Sequence, residues 1–143
     1  IGNMVIHPDG PQNTNIGDGI QKAREELVSD RQRVGVSKFM VVLTDGVATH
    51  PQKGGDPKYP ETFALQAANQ AKIDGIGMFS IGLGKDLNAE FLKDIASSSE
   101  EFFLAPAAKD LTSIYKQIAT KICKKRPAVI EILYRIYPPL YVI

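Results

Sequence analysis

Three short apolar segments, each bordered by glycine or proline, constrain the fold of this chain most strongly. They are 39–44 (Phe-Met-Val-Val-Leu-Thr), 76–81 (Ile-Gly-Met-Phe-Ser-Ile) and 101–104 (Glu-Phe-Phe-Leu). Such runs can also be buried helix segments, but their short length and their glycine borders favour strands. Strands that are apolar on both faces are typical of a parallel sheet that helices cover on both sides.

Helical patterns occupy the sequence around these segments. Apolar residues recur at helical spacing over 17–29, and small residues form one face over 63–71. Asn88 is a predicted N-cap for a helix that reaches Ser97, and a last amphipathic helix is predicted over 107–123. The alternation predicts an α/β fold with a doubly wound, mostly parallel sheet and helices on both faces.

Composition and charge exclude several classes of protein. The 143 residues are enough for one domain, and 17 Lys and Arg against 16 Asp and Glu leave a net charge of +1. This balance argues against a nucleic-acid-binding surface. Cys123 is the only cysteine, which excludes an internal disulfide framework and a multi-cysteine zinc site. No apolar run approaches the ~20 residues that span a bilayer.

The sequence also lacks the motifs of common enzymes. The run Gly82-Leu-Gly84-Lys85 lacks the spacing of a phosphate-binding P-loop. His7 and His50 are the only histidines, and no Gly-x-Ser-x-Gly motif accompanies them. We therefore expect a protein that is not an enzyme.

Two oxygen-bearing side chains are the candidate site residues. Asp45 ends its strand in Leu-Thr-Asp-Gly, and Thr14 lies at the start of the first predicted helix. Carboxylate and hydroxyl oxygens are suitable ligands for Mg²⁺ or Ca²⁺. The structural alternative is that Thr14 or Asn15 caps the helix and that Asp45 begins a turn.

Three segments together resemble a von Willebrand factor type A domain. They are 13–20 (Asn-Thr-Asn-Ile-Gly-Asp-Gly-Ile), 41–46 (Val-Val-Leu-Thr-Asp-Gly) and 79–84 (Phe-Ser-Ile-Gly-Leu-Gly). Their spacing and order match the later half of that family, whose fold is a Rossmann-like doubly wound sheet. The family has a metal-ion-dependent adhesion site formed by an Asp-x-Ser-x-Ser loop, a Thr and an Asp. The resemblance implies that Thr14 and Asp45 are two of those metal ligands.

One element of that family site does not occur in these residues. The sequence contains no Asp-x-Ser-x-Ser, it begins with Ile1, and only thirteen residues precede Thr14. We therefore expect a domain over 1–123 that is N-terminally incomplete by two βα units, roughly 60 residues. Binding of Mg²⁺ (or Ca²⁺ or Mn²⁺) is expected only if the missing segment is supplied.

The resemblance implies an extracellular or cell-surface adhesion module that binds the Glu or Asp of a partner protein. The polar connection 47–62 is expected to form part of the ligand rim, through His50, Lys53, Lys58 and Tyr59. The structural alternative is a solvated connection. Two other functions stay open: a structural subunit of a filament or scaffold that uses no metal, and an intracellular assembly factor beside an ATPase.

The last segment, 124–143, is predicted to be a linker and a strand-like tail. Its β-branched and aromatic residues favour a strand over 128–143, which would link the domain to a further domain or subunit. A helix stabilised by a Glu131–Arg135 pair is the alternative.

Overall fold

Helices and strands alternate along the described part of the chain, which is residues 13–85 and 87–124 of the computed structural model. The elements are α1 (Ile16–Leu27), β1 (Lys38–Thr44), α2 (Tyr59–Ile73), β2 (Ile76–Leu83), α3 (Ala89–Ile95), β3 (Phe102–Ala105) and α4 (Leu111–Lys124). Short 3₁₀ turns, Ser99–Glu101 and Ala108–Asp110, precede β3 and α4. The predicted order of helices and strands is confirmed.

The three strands form one parallel sheet in the order β1-β2-β3. The β1–β2 register runs from Lys38 opposite Ile76 to Thr44 opposite Gly82, and β3 pairs with the second half of β2. The strands therefore end together, at what we call the carboxyl edge. The opposite end of the sheet, where they begin, is the amino edge.

Helices cover both faces of the sheet, which confirms the doubly wound α/β class. Side chains of α1, α2 and α3 pack with Met40, Ile76 and Met78 on one face. On the other face, α4 contributes Ile114 and Ile118 to a core with Phe79 and Ile81. Because successive strand residues point to opposite faces, an apolar strand such as β2 contributes to both cores.

β1 is an edge strand within the described residues. It pairs only with β2 there, and Val41 and Leu43 are 39% and 44% exposed on the α4 side. A groove of about 430 Å³ lies between β1 and α1, and Ile16, Ile20 and Val42 are among its lining residues. An unpaired apolar edge favours pairing with another strand. A further strand beside β1 stays a prediction.

Some element boundaries differ from those predicted. α2 begins at Tyr59, so the polar connection after β1 ends at Lys58 rather than at 62. Pro60 fits the first turn of a helix, where its missing N–H needs no partner. α3 ends at Ile95 instead of Ser97, because Ser97 hydrogen-bonds through its backbone N–H and its hydroxyl to Met78 of β2.

The predicted linker and tail, 124–143, lie outside the described residues except for Lys124, which ends α4. None of the helices that the structure describes combines the length and hydrophobicity that crossing a bilayer requires.

Close packing at Gly17 joins the first turn of α1 to the second turn of α2. Gly17 is buried, and a Cβ placed on it would lie 2.3 Å from Cδ1 of Phe63 and 3.3 Å from Cα of Ala64. Gly19, two residues later on the same helix, has no heavy atom within 4 Å of such a Cβ. The absence of a side chain at position 17 therefore sets how closely α1 approaches α2.

Gly17→Ala and Gly19→Ala form a matched pair for this contact. Gly19→Ala should raise the free energy of unfolding by about 0.5–1 kcal/mol, because alanine favours the helix. Gly17→Ala should be less stable than Gly19→Ala by about 1–3 kcal/mol, because Phe63 must move. Urea unfolding measures both. Equal stabilisation by the two changes would show that the contact imposes no constraint.

An ion pair joins the carboxyl-terminal ends of the same two helices. Nε of Arg24 donates a hydrogen bond to the carboxylate of Asp74, the residue that follows α2. This hydrogen bond lowers the pKa of Asp74 below its ordinary value. A carboxyl whose pKa is lower in the folded state contributes stability above its unfolded pKa, and that stability is lost as pH falls through the folded value.

Asp74→Asn should therefore lower the free energy of unfolding at neutral pH, and the difference from the parent should shrink below about pH 3.9. Urea unfolding from neutral to acid pH measures it. Arg24→Gln should show the same pH pattern, since it removes the other partner. A difference that stays constant across this range would mean that the ion pair does not contribute to acid sensitivity.

Candidate functional site

Asn15, and not Thr14, caps α1. Oδ1 of Asn15 accepts a hydrogen bond from the backbone N–H of Asp18 (3.1 Å), and its Nδ2 donates to the Asp18 carboxylate (2.5 Å). Within the described residues, the hydrogen bonds of Thr14 use its backbone and not its hydroxyl. The capping alternative is thus correct for Asn15 and leaves the Thr14 hydroxyl available as a ligand.

The backbone of Thr14 is held by the connection that follows β1. Its N–H donates to Oγ1 of Thr49 (2.9 Å), and its carbonyl accepts from the backbone N–H groups of Thr49 (2.9 Å) and His50 (3.2 Å). These three bonds join segments 35 residues apart in the sequence. They place the start of α1 at the carboxyl edge of the sheet, beside the end of β1.

Asp45 directly follows β1 and is exposed. The turn that contains it is held by Thr44, whose Oγ1 donates to the Gly46 carbonyl (2.9 Å) and accepts from the Gly46 N–H (3.3 Å). No group in the described part of the chain pairs with the Asp45 carboxylate by a hydrogen bond or an ion pair. Asp45 thus lies in a turn that does not depend on its carboxylate.

The side chains of Thr14 and Asp45 carry the oxygen ligands that a hard divalent cation prefers, but two ligands are fewer than such a cation needs. Thr14 and Thr44 line the same groove, and Asp45 follows Thr44, so two oxygen donors lie at one edge of the sheet. Residues 13–85 and 87–124 contain no group of three or more His, Cys, Asp or Glu side chains that could hold a metal ion. The assignment of Thr14 and Asp45 as metal ligands therefore stays a prediction.

The four predicted rim residues have different environments. Nζ of Lys53 lies 5.3 Å from the centre of the Tyr59 ring, which is a cation–π distance. Nδ1 of His50 lies 3.3 Å from Oγ1 of Thr49, so His50 contacts the hydrogen-bonded segment around Thr14. Lys58 is exposed, and its backbone N–H donates to Asp56. The structure thus brings Lys53 and Tyr59 together and places His50 and Lys58 elsewhere on the connection.

The connection also forms most of the lining of a cleft at this edge. The cleft has a volume of about 380 Å³, and Thr49, Gln52, Asp56, Pro57 and Pro60 line it with Ala48 and Gly55. Its lining mixes apolar rings with an amide, a hydroxyl and a carboxylate. Such a surface has both the apolar area and the polar groups of a protein interface.

Sequence reasoning missed Thr49 and Phe63 as residues that organise this edge. Thr49 has no local signal, because its partner Thr14 is 35 residues away in the sequence. Phe63 belongs to the predicted small-residue face, but only the structure shows its ring against Gly17.

The fold and this edge define a class of protein: a doubly wound α/β domain with polar loops at the ends of its parallel strands. The sequence model described as "von Willebrand factor type A domain" matches residues 3–117. The chain belongs to this family.

Relatives of this chain include matrilin-1 and a collagen chain. The chain is 32% identical to matrilin-1 of Homo sapiens over 98 residues, which cover 67% of this chain and 17% of matrilin-1. It is 26% identical to the collagen alpha-4(VI) chain of Mus musculus over 118 residues, which cover 80% of this chain and 4% of that one. The chain thus spans a small part of the length of these relatives.

A solved structure supports the fold assignment. Proximal thread matrix protein 1 from the mussel byssus, described with a zinc-occupied MIDAS motif, superposes with a TM-score of 0.62 at 23% identity. The match covers 82% of this chain and 27% of the byssus protein. At this level of identity the likeness shows a common fold.

Thr49→Val and Thr49→Ser test the hydrogen bonds that hold Thr14. Thr49→Val should lower the free energy of unfolding by about 1–3 kcal/mol, because the Thr14 N–H loses its acceptor. Thr49→Ser keeps the hydroxyl and should stay within about 0.5 kcal/mol of the parent. Urea unfolding measures the stability, and hydrogen exchange of the Thr14 amide reports the bond itself. A Thr49→Val protein as stable as the parent, with unchanged exchange of the Thr14 amide, would show that this hydrogen bond does not hold Thr14.

Proposed function

We propose that this chain is a protein-binding adhesion module whose carboxyl edge contributes Thr14 and Asp45 to a divalent-ion site. The observation that carries the proposal is the Asp45 carboxylate, with which no described residue pairs, at the edge where hydrogen bonds hold the backbone of Thr14. A bound Mg²⁺ would supply an open coordination position for the carboxylate of a partner protein. The partner's acidic group is thus the ligand chemistry that the site selects.

Each residue has a separate role in this proposal. Asp45 supplies negative charge and an oxygen ligand from a turn that Thr44 holds independently. Thr14 supplies a neutral hydroxyl, and its backbone bonds to the segment at Thr49 keep that hydroxyl at the edge. The remaining ligands are proposed to come from an Asp-x-Ser-x-Ser segment of the intact protein, because these 143 residues contain none.

The connection after β1 would form the rim that a partner contacts. Lys53, held against the Tyr59 ring, and the exposed Lys58 supply positive charge for an acidic partner surface. Val47, two residues after Asp45, is 46% exposed and adds apolar area. Positive charge beside apolar and aromatic groups favours a protein partner that combines acidic and apolar side chains.

Similarity to matrilin-1, to a collagen chain and to a byssus matrix protein supports an extracellular location. The same relatives support the second candidate function, a structural role in a matrix scaffold. The two candidates differ in their need for metal, because only adhesion through Asp45 requires a divalent ion. The intracellular alternative receives no support from these relatives.

Asp45→Ala in the intact protein tests the metal role directly. It should lower Mg²⁺ affinity by about tenfold or more and leave the thermal stability without metal unchanged, because the carboxylate has no partner among the described residues. Thr14→Ala should have a smaller effect, since it removes a neutral ligand, and Thr14→Ser should restore the affinity. Calorimetric titration with Mg²⁺ measures all three.

Asp30→Ala is the matched control, because Asp30 is an exposed carboxylate in the connection between α1 and β1, at the amino edge. It should bind Mg²⁺ like the parent. An Asp45→Ala protein with parent affinity would show that Asp45 is only a turn residue. A parent that binds partner protein equally well with Mg²⁺ or with a chelator would favour the scaffold function.

A further inference from the structure

A series of side-chain contacts, from Lys53 through Tyr59 to Phe63, begins at the surface of the ligand rim. Lys53 is exposed, and its ammonium lies over the Tyr59 ring at 5.3 Å. The Tyr59 ring stacks on Phe63, one helical turn later in α2, with ring centres 6.1 Å apart and planes 20° apart. A cation over an aromatic ring and two offset rings are both attractive arrangements. Lys53 of the rim is therefore connected through Tyr59 to Phe63 of α2 by an unbroken series of contacts.

The series continues from Phe63 into the first turn of α1. A Cβ on Gly17 would overlap Cδ1 and Cε1 of Phe63, at 2.3 and 2.6 Å, so the ring lies directly against the backbone there. Gly17 is buried and has no side chain that could change rotamer to absorb a movement of the ring. A shift of the Phe63 ring towards α1 would therefore press on the helix backbone itself.

Gly17 is three residues from Thr14, and Ile16 and the cap Asn15 lie between them. The Asn15 cap ties the first turn of α1 together through Asp18. A displacement of the helix start at Gly17 thus reaches the backbone that carries the Thr14 hydroxyl. No flexible loop intervenes between Phe63 and that position.

We propose that Phe63 is a positioning residue that couples the ligand rim, through Tyr59 and Lys53, to the Thr14 loop of the metal site. This inference rests on the proposed function for its biological meaning, since Thr14 matters there as a metal ligand. Coupling between two sites is reciprocal. A partner that engages Lys53 would therefore change metal affinity, and the metal would change the affinity for that partner.

A double-mutant cycle in the ¹⁵N-labelled intact protein without metal tests the coupling. Lys53→Met removes the cation and should shift the amide resonances of Gly17 and Thr14. In the Phe63→Leu background the same change should shift those amides by less than half as much. Lys116→Met is the control, because Lys116 is an exposed lysine of α4, on the other face of the sheet; it should leave both amides unmoved.

Equal shifts in the two backgrounds, or no shift at Gly17 and Thr14 on Lys53→Met, would overturn the proposal. Tyr59→Leu interrupts the same series at its other ring and replaces Phe63→Leu if that variant does not fold. Phe63→Tyr keeps a ring and should preserve the coupling.

A Mg²⁺ titration of the same four proteins separates this inference from the proposed function. Lys53→Met should change Mg²⁺ affinity at least twofold in the parent background and less in the Phe63→Leu background. Equal changes of Mg²⁺ affinity in both backgrounds would overturn the coupling and would leave the proposed metal site unaffected. A parent that does not bind Mg²⁺ would overturn the proposed function, and the amide shifts would then decide the coupling alone.

Discussion

The three hydrogen bonds between Thr14 and the segment at Thr49 and His50 are the constraint on which the carboxyl edge depends. Thr14 immediately precedes the cap of α1, and Thr49 follows the end of β1 by five residues. Without these bonds, each segment would be a separate surface loop. With them, the start of a helix and the end of a strand form one unit that presents side-chain oxygens to solvent.

Packing behind the edge keeps that unit in register with the sheet. The parallel β1–β2 ladder aligns the ends of both strands, so Asp45 lies at the edge regardless of how its side chain is used. Close approach at Gly17 and the Arg24–Asp74 ion pair fix α1 against α2 near both ends. The groove between α1 and β1 leaves apolar surface of the described residues uncovered.

Much of this architecture is predictable because it depends on local periodicity. β1 and β2 are mostly apolar runs that are followed by glycine, and α1 carries an apolar stripe, so both their type and their order follow from the sequence. Asp45 is predictable for the same reason, since it directly follows an apolar run. The N-cap Asn88 is confirmed by its hydrogen bond from the Phe91 N–H (3.2 Å).

The parts that escape prediction depend on contacts between distant residues. Nothing in the sequence around Thr49 indicates that it contacts Thr14. The end of α3 depends on the hydrogen bonds between Ser97 and Met78, which lies 19 residues earlier in the chain. The sequence assigns Tyr59 to the connection because the small-residue pattern of the helix begins only at Phe63. Pro60 is the one signal for an earlier helix start. The fold class of this chain can therefore be predicted from local sequence patterns. The geometry of the carboxyl edge cannot, because it depends on contacts between distant residues.

Paramagnetic broadening by Mn²⁺ in the ¹⁵N-labelled intact protein tests the central claim most directly. If Thr14 and Asp45 belong to one divalent-ion site, substoichiometric Mn²⁺ should broaden the amides of 14–17 and 45–50 first. The amides at the amino edge, in 30–37 and at Asp74 and Gly75, should stay sharp. Broadening centred on the amino edge, or spread evenly over the protein, would contradict the account.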